Sequence, residues 1–187
     1  MAEYNPFSTD VEPGPETTRV RRLVTDVDET GRAYIATDEL CSHRVTGHGC
    51  PSYVTTNLWR TDESPANNRG ELVDPYDTDQ PLSVGPTPNG SVFRTLELPP
   101  DTEWRFDDEG NEVKPLAFHT TASVDYAIVL RGEIWALIDD DEALMKQGDV
   151  LIQRGTRHAW SNRSNESCLL AFVLVGGNLP ELPGDTA

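Results

Sequence analysis

The chain is poor in positive charge. Its 187 residues carry 15 Lys and Arg against 32 Asp and Glu, a formal net charge of −17. Nucleic acid and anionic membrane surfaces would repel such a protein, so neither is expected as a partner. Cysteine is scarce as well, and an odd count of three offers no disulfide framework. No apolar run approaches the roughly 20 residues that a membrane-spanning helix requires. The opening stretch "MAEYNPFSTDVEPGPETT" lacks a basic region followed by an apolar one, the mark of a secretory signal. The expectation is a soluble cytoplasmic protein. Helical heptads and solenoid repeats are also missing, which removes coiled coils and repeat arrays from consideration.

What is present points to strands. A hydrophobic fraction of 36% with 14 Pro and 14 Gly suits a β-rich core with generous loops. Residues 1–17 read as a loose arm. Residues 19–27 and 32–37 read as a hairpin around "DETG", and "SYVTTNLWR" as a strand, with an irregular polar stretch over 38–51. Residues 61–90 hold five prolines and three glycines and are expected to be mostly loop. From residue 91 short strands follow one another: "SVFRTLELP", "VKPLAFHT", "VDYAIVL", "EIWALID", "DVLIQ", "HAWSN" and "CLLAFVLVG". The turns between them include "RGE", "DDDEA" and "KQGD". Such spacing predicts an all-β sandwich or barrel. The division expected is an N-terminal extension over 1–90 and a barrel over 91–187.

Strand side chains alternate faces, so His119 and Asp125 share a parity, as do His158, Trp160 and Asn162. Polar groups directed into a closed barrel must be paired or must bind something. Two histidines and a carboxylate meeting there would form a set that holds a divalent metal and leaves positions open. Without metal, His158 and Asp125 could act as general base and acid, with the carboxylate raising the imidazole's pKa. Trp160 is a candidate to stack on a flat substrate. Arg60, at the end of a strand, is a candidate clamp for a substrate carboxylate, against the plainer reading of an ion pair with neighbouring acids.

Residues 91–176 resemble the cupin superfamily, small β-barrels of the jelly-roll type. His119 takes the place of the first histidine of the family's first motif, Thr121 that of the second, Asp125 that of its glutamate and Gly132 that of its closing glycine. Gly148, Gly155, His158 and Asn162 take places in the second motif. The chain departs from the pattern at Thr121, where a histidine is lost, and at Asp125, one methylene short. It departs again at Val113 and Arg154, where glycine and proline would stand. The resemblance implies metal ligation by His119, Asp125 and His158, with Thr121 near the substrate. The cofactor implied is a divalent metal, Fe(II) first, then Zn or Mn, or none if the altered motif binds no ion. A homodimer is also implied.

The leading expectation for function is a non-haem iron oxygenase acting on a small organic substrate, aromatic or polyketide-like given Trp160. Two alternatives use the same pocket: a lyase, isomerase or cyclase of dehydratase or decarboxylase type, and a non-catalytic small-molecule binder. "CSHRVTGHGC" packs Cys41, His43, His48 and Cys50 too closely for a zinc site and reads as a loop. "DDDEA" lacks the ligand spacing of a calcium loop and reads as a solvated hairpin tip. Cys168 opens an apolar strand and reads as a buried small hydrophobe.

Overall fold

The structure, a computed structural model, describes residues 5–78 and 81–181. Residues 1–4 of the expected arm, 79–80 of the long loop and 182–187 at the chain's end lie outside the described residues. The described strands are, in chain order, β1 (Phe7–Ser8), β2 (Arg21–Val27), β3 (Ala33–Leu40), β4 (Arg44–Gly47), β5 (Cys50–Thr61) and β6 (Ser91–Leu98). After a single 3-10 turn (Asp101–Glu103) come β7 (Ser123–Arg131), β8 (Glu133–Ile138), β9 (Asp141–Lys146), β10 (Val150–Arg154), β11 (Ala159–Ser161) and β12 (Cys168–Gly176). Among the described residues no helix is long and apolar enough to cross a membrane.

A seven-stranded sheet runs in the order β1-β4-β5-β6-β12-β7-β10, a smaller one in the order β11-β8-β9, and β2 and β3 form a separate hairpin. All paired strands are antiparallel. Three strands from the first ninety residues therefore lie in the same wall as β6, with Thr56 opposite Thr95 and Asn57 opposite Arg94. This is an all-β architecture of two antiparallel sheets and a hairpin.

Alternation explains the core. On β7, Ser123, Asp125, Ala127 and Val129 point inward and are buried, whereas Tyr126 and Leu130 remain exposed on the outer face. The two sheets close over Leu98, Val129, Cys168 and Leu170 from the large sheet and Ile134, Ala136 and Met145 from the small one. Removing a side chain such as Leu170 or Ile134 from water contributes about 2–3 kcal/mol. Cys168 is a free, fully buried thiol whose pKa burial pushes up to about 12, so it is an inert filler. Gly132 makes the turn from β7 to β8 at φ +79°, where a Cβ would also meet the Ser167 carbonyl at 3.1 Å. Only glycine avoids both penalties.

Four local expectations differ from the structure. Residues 113–120 form no strand. Pro115 has no N–H to donate, and the segment crosses the barrel mouth as a loop with one bridge, His119 to His158. β9 occupies part of what read as turns, because Met145 is its one buried residue and the strand shows no alternation. β4 forms within the stretch that read as irregular, and β1 within the arm.

Asn162, matched above to the second motif, holds the barrel's lower end. Its Nδ2 donates to the carbonyls of Leu98 and Glu166 at 2.9 Å each, and its Oδ1 accepts from Ser164. Its backbone N–H donates to buried Asp101, which also accepts from Ser161 and Arg105. Asn162→Ala would strand these groups, and we expect a loss of about 2–3 kcal/mol, read from urea unfolding followed by circular dichroism.

Candidate active site

The site is built on a backbone bridge. The N–H of His119 donates to the carbonyl of His158 and the N–H of His158 to that of His119, both at 2.9 Å. Directly opposed residues of an antiparallel pair project to one side. The two imidazoles accordingly lie side by side, ring centroids 4.2 Å apart and planes tilted by 51°. Each Nδ1 sits 3.0 Å from the carbonyl two residues earlier, Ala117 for His119 and Thr156 for His158. Donation from Nδ1–H leaves the lone pair on Nε2, the arrangement in which imidazole ligates metal.

Burial keeps both rings neutral. It lowers the pKa of His119, against the opposing pull of the Ala117 carbonyl and Asp125. It lowers His158 to about 4, helped by the neighbouring His119 and opposed by the Thr156 carbonyl. The expectation that Asp125 raises the pKa of His158 is therefore corrected. Desolvation sets the direction, and the carboxylate approaches His158 only through Gln153.

Asp125 stands on β7 opposite Gln153 of β10 and is 5% exposed. Its Oδ1 accepts from Ser123 Oγ at 2.5 Å and its Oδ2 from Thr121 Oγ1 at 3.1 Å. Burial still raises its pKa, over the opposing effects of those hydroxyls, His119 and Arg94. Gln153 Nε2 lies 3.5 Å from Asp125 Oδ2 and makes a short contact with His158 Nδ1, while its Oε1 is buried without a partner. A half-turn of this amide would bring its oxygen onto Nδ1–H, removing the conflict and partnering the orphaned atom.

These groups open on a cavity that Thr121 and Trp160 also line. Trp160 meets Phe172 edge-on at 5.5 Å and His158 at 6.2 Å. It packs on the core and faces the cavity at once. Arg60 lies elsewhere. It lines a second cavity with His43 and Tyr76, its guanidinium 5.3 Å from the Tyr76 ring. Arg94 is the basic side chain that the fold does bring to the histidines. Its signal in the sequence was parity, since it shares the inward face of β6 with Val92 and Leu98.

Among the described residues, the group of three whose ligand atoms lie within 4.8 Å of one another is His43, Asp74 and Asp77. Asp74 there already holds the guanidinium of Arg22 along with His43 Nε2, so a cation would meet a positive charge. We read it as an ion-pair brace between the long loop and the hairpin. His119, Asp125 and His158 do not meet that spacing. The two imidazoles suit a divalent cation, and Asp125, its oxygens engaged by two hydroxyls, lines the same cavity. The cysteines and histidines of "CSHRVTGHGC" do not converge. Cys41 and His43 precede β4, whereas His48 and Cys50 follow it, with His48 stacked on Trp104 at 4.8 Å.

No family model matches the chain. Over 180 residues it is 32% identical to the phomopsin biosynthesis cluster protein C' of Diaporthe leptostromiformis, covering 91% of this chain and 85% of that one. Over 161 residues it is 30% identical to the cupin-domain-containing oxidoreductase virC of Hypocrea virens, covering 84% of this chain and 74% of that one. The chain belongs to the cupin superfamily. Among solved structures, this cupin is similar to the Cnp3 cupin domain of Schizosaccharomyces pombe, with a TM-score of 0.46 and 13% identity over 85% of this chain and 89% of that one.

The depressed histidine has a thermodynamic consequence. His158 titrates near 6.5 when unfolded and near 4 in the folded cupin. Between those values the unfolded chain takes up the proton first, so acidification favours unfolding, by about 3 kcal/mol in full. Asp125 acts in the opposite sense, because its raised value costs stability when ionised and that cost vanishes on protonation. Chelator-treated wild type should therefore lose more stability between pH 7 and pH 4.5 than His158→Gln, measured by urea titration. Equal losses would contradict a buried neutral imidazole.

Proposed function

We propose that this cupin is an oxidoreductase that acts on a small, flat organic molecule, with His119 and His158 holding a divalent metal, Fe(II) first among the candidates. The observation that carries the reading is the pair of neutral imidazoles, His158 buried and His119 half-buried, each with Nδ1 fixed on a backbone carbonyl, opening on a cavity walled by aromatic residues. The relatives named cupin-domain-containing oxidoreductases support it, and the one named for a biosynthesis cluster supports a biosynthetic intermediate as substrate.

A ferrous ion with open positions would supply electrons for oxygen chemistry. The chain's own contributions are binding and orientation. His119 and His158 offer lone pairs from rings that cannot turn without losing their carbonyl contacts. Trp160 and Phe172 give a flat substrate a face to lie against and exclude water from it. Burial raises the pKa of Asp125 and so favours a proton at a carboxylate oxygen, with Thr121 and Ser123 fixing its orientation.

That last feature also favours a second reading, a lyase or isomerase in which Asp125 moves a proton. Oxygen separates the two. We expect metal analysis of the untagged protein to return iron near one equivalent, lost together with oxygen uptake in His119→Ala and in His158→Ala. Full activity without oxygen would replace the first reading with the second. An unchanged metal content in both variants would remove the metal from these residues.

A further inference from the structure

Arg94 is a cation placed where a barrel wants none. It is 6% exposed, projects from β6 on the same face as Val92 and Leu98, and lines the cavity that holds His119, His158 and Asp125. Among the described residues no carboxylate lies within 4.0 Å of its guanidinium. One Nη2 donates to the Ser83 carbonyl at 3.0 Å, the group lies 5.5 Å from the Phe7 ring, and Nε has no partner. Asn57 stands opposite it on β5, fully buried, with neither side-chain atom hydrogen-bonded. The Tyr76 hydroxyl, also buried, lies close enough to interact with the Arg94 guanidinium but carries no charge to balance it.

Buried charges are retained when something pairs with them, and buried polar atoms when something bonds them. Asp125 acts on Arg94 across the cavity but makes no ion pair with it. A planar guanidinium matches a carboxylate better than any other common organic anion, because two parallel N–H donors meet two oxygens. Next to it, Phe172 stands opposite Arg94 on β12 and meets Trp160 edge-on, giving a ring-shaped ligand an apolar bed between the guanidinium and the histidines. The net charge of −17 bears on distant encounter, whereas the field within the cavity is set by the groups that line it.

We propose that Arg94 anchors the carboxylate of an aromatic carboxylic acid, so that the substrate of this cavity is an anion with a flat apolar body. The proposal rests on the reading of the cavity as the reaction site and names its substrate class. The carboxylate takes the counterion position at Arg94, and the ring extends past Phe172 toward His119 and His158.

The test is calorimetric titration with benzoate and with benzamide, its uncharged counterpart of the same shape, on the protein as purified and again after chelation. We expect wild type to bind benzoate at least about tenfold more tightly than benzamide, and Arg94→Met, folded by circular dichroism, to lose that preference. Arg94→Lys keeps the charge but loses the paired donors, so it should retain a reduced preference; it is the variant to use if Arg94→Met does not fold. Wild type that binds both compounds equally, or binds no benzoate, overturns the proposal. So does an Arg94→Met that keeps the preference, or an Arg94→Lys that matches wild type. Because binding is read without turnover and without metal, failure here leaves the metal reading standing, and failure of the metal reading leaves this result intact.

Discussion

The reciprocal hydrogen bonds between His119 and His158 are the constraint from which the site follows. Two backbone N–H groups and two carbonyls, exchanged at 2.9 Å, pin a proline-bearing loop to the lip of the barrel. Opposed residues must then project together, and both happen to be histidine. Two adjacent imidazolium ions in a buried place would repel each other and lack solvation, so both rings are held neutral. The carbonyls of Ala117 and Thr156 then direct the remaining proton of each ring to Nδ1. A backbone register thus determines a protonation state, and the protonation state determines what the cavity can bind.

Charge within the barrel is distributed unevenly around that pair. Asp125 on β7 and Arg94 on β6 face inward from the large sheet with β12 between them, the acid satisfied by hydroxyls and the base left with an orphaned Nε. A fold optimised for stability alone would pair them or replace them with apolar residues. Keeping them apart costs stability; under the proposed function the acid would hold a proton and the base would serve as a counterion. The lower end of the barrel shows the contrasting treatment. There Asp101 accepts from Arg105, from Ser161 and from the backbone of Asn162, and the group serves the fold. The motif asparagine belongs to this structural end, the motif histidine to the chemical one.

The apolar runs "SVFRTLEL", "VDYAIVL" and "CLLAFVLVG" were enough to place strands, but alternation marked a clean inner face on β7 alone, because β6 and β12 bury consecutive residues. Parity also brought His158 and Trp160 to the same side. Segments whose structure depends on distant partners were not legible. The strand Asp141–Lys146 has one buried residue and no pattern, and residues 113–120 look apolar enough for a strand until Pro115 and the His119 bridge are taken into account. Arg60 shows the same limit, because a slip in the β5 register between Asn57 and Trp59 breaks the count along that strand, whereas parity with Val92 and Leu98 on β6 did mark Arg94. The pKa of His158 depended on whether Asp125 touched it, and Gln153 stands between them.

The central claim, that His119 and His158 are neutral, protonated on Nδ1 and offer Nε2 side by side to a shared ligand, can be read directly. The chain has four histidines, so a long-range proton–nitrogen spectrum of the side chains, recorded at pH 7 before and after addition of Zn(II), resolves each tautomer with the help of His119→Gln and His158→Gln. The account predicts the Nδ1–H form for both residues and a shift of both Nε2 resonances when zinc is added. An Nε2–H form at either ring, or Nε2 signals that ignore the metal, would contradict it.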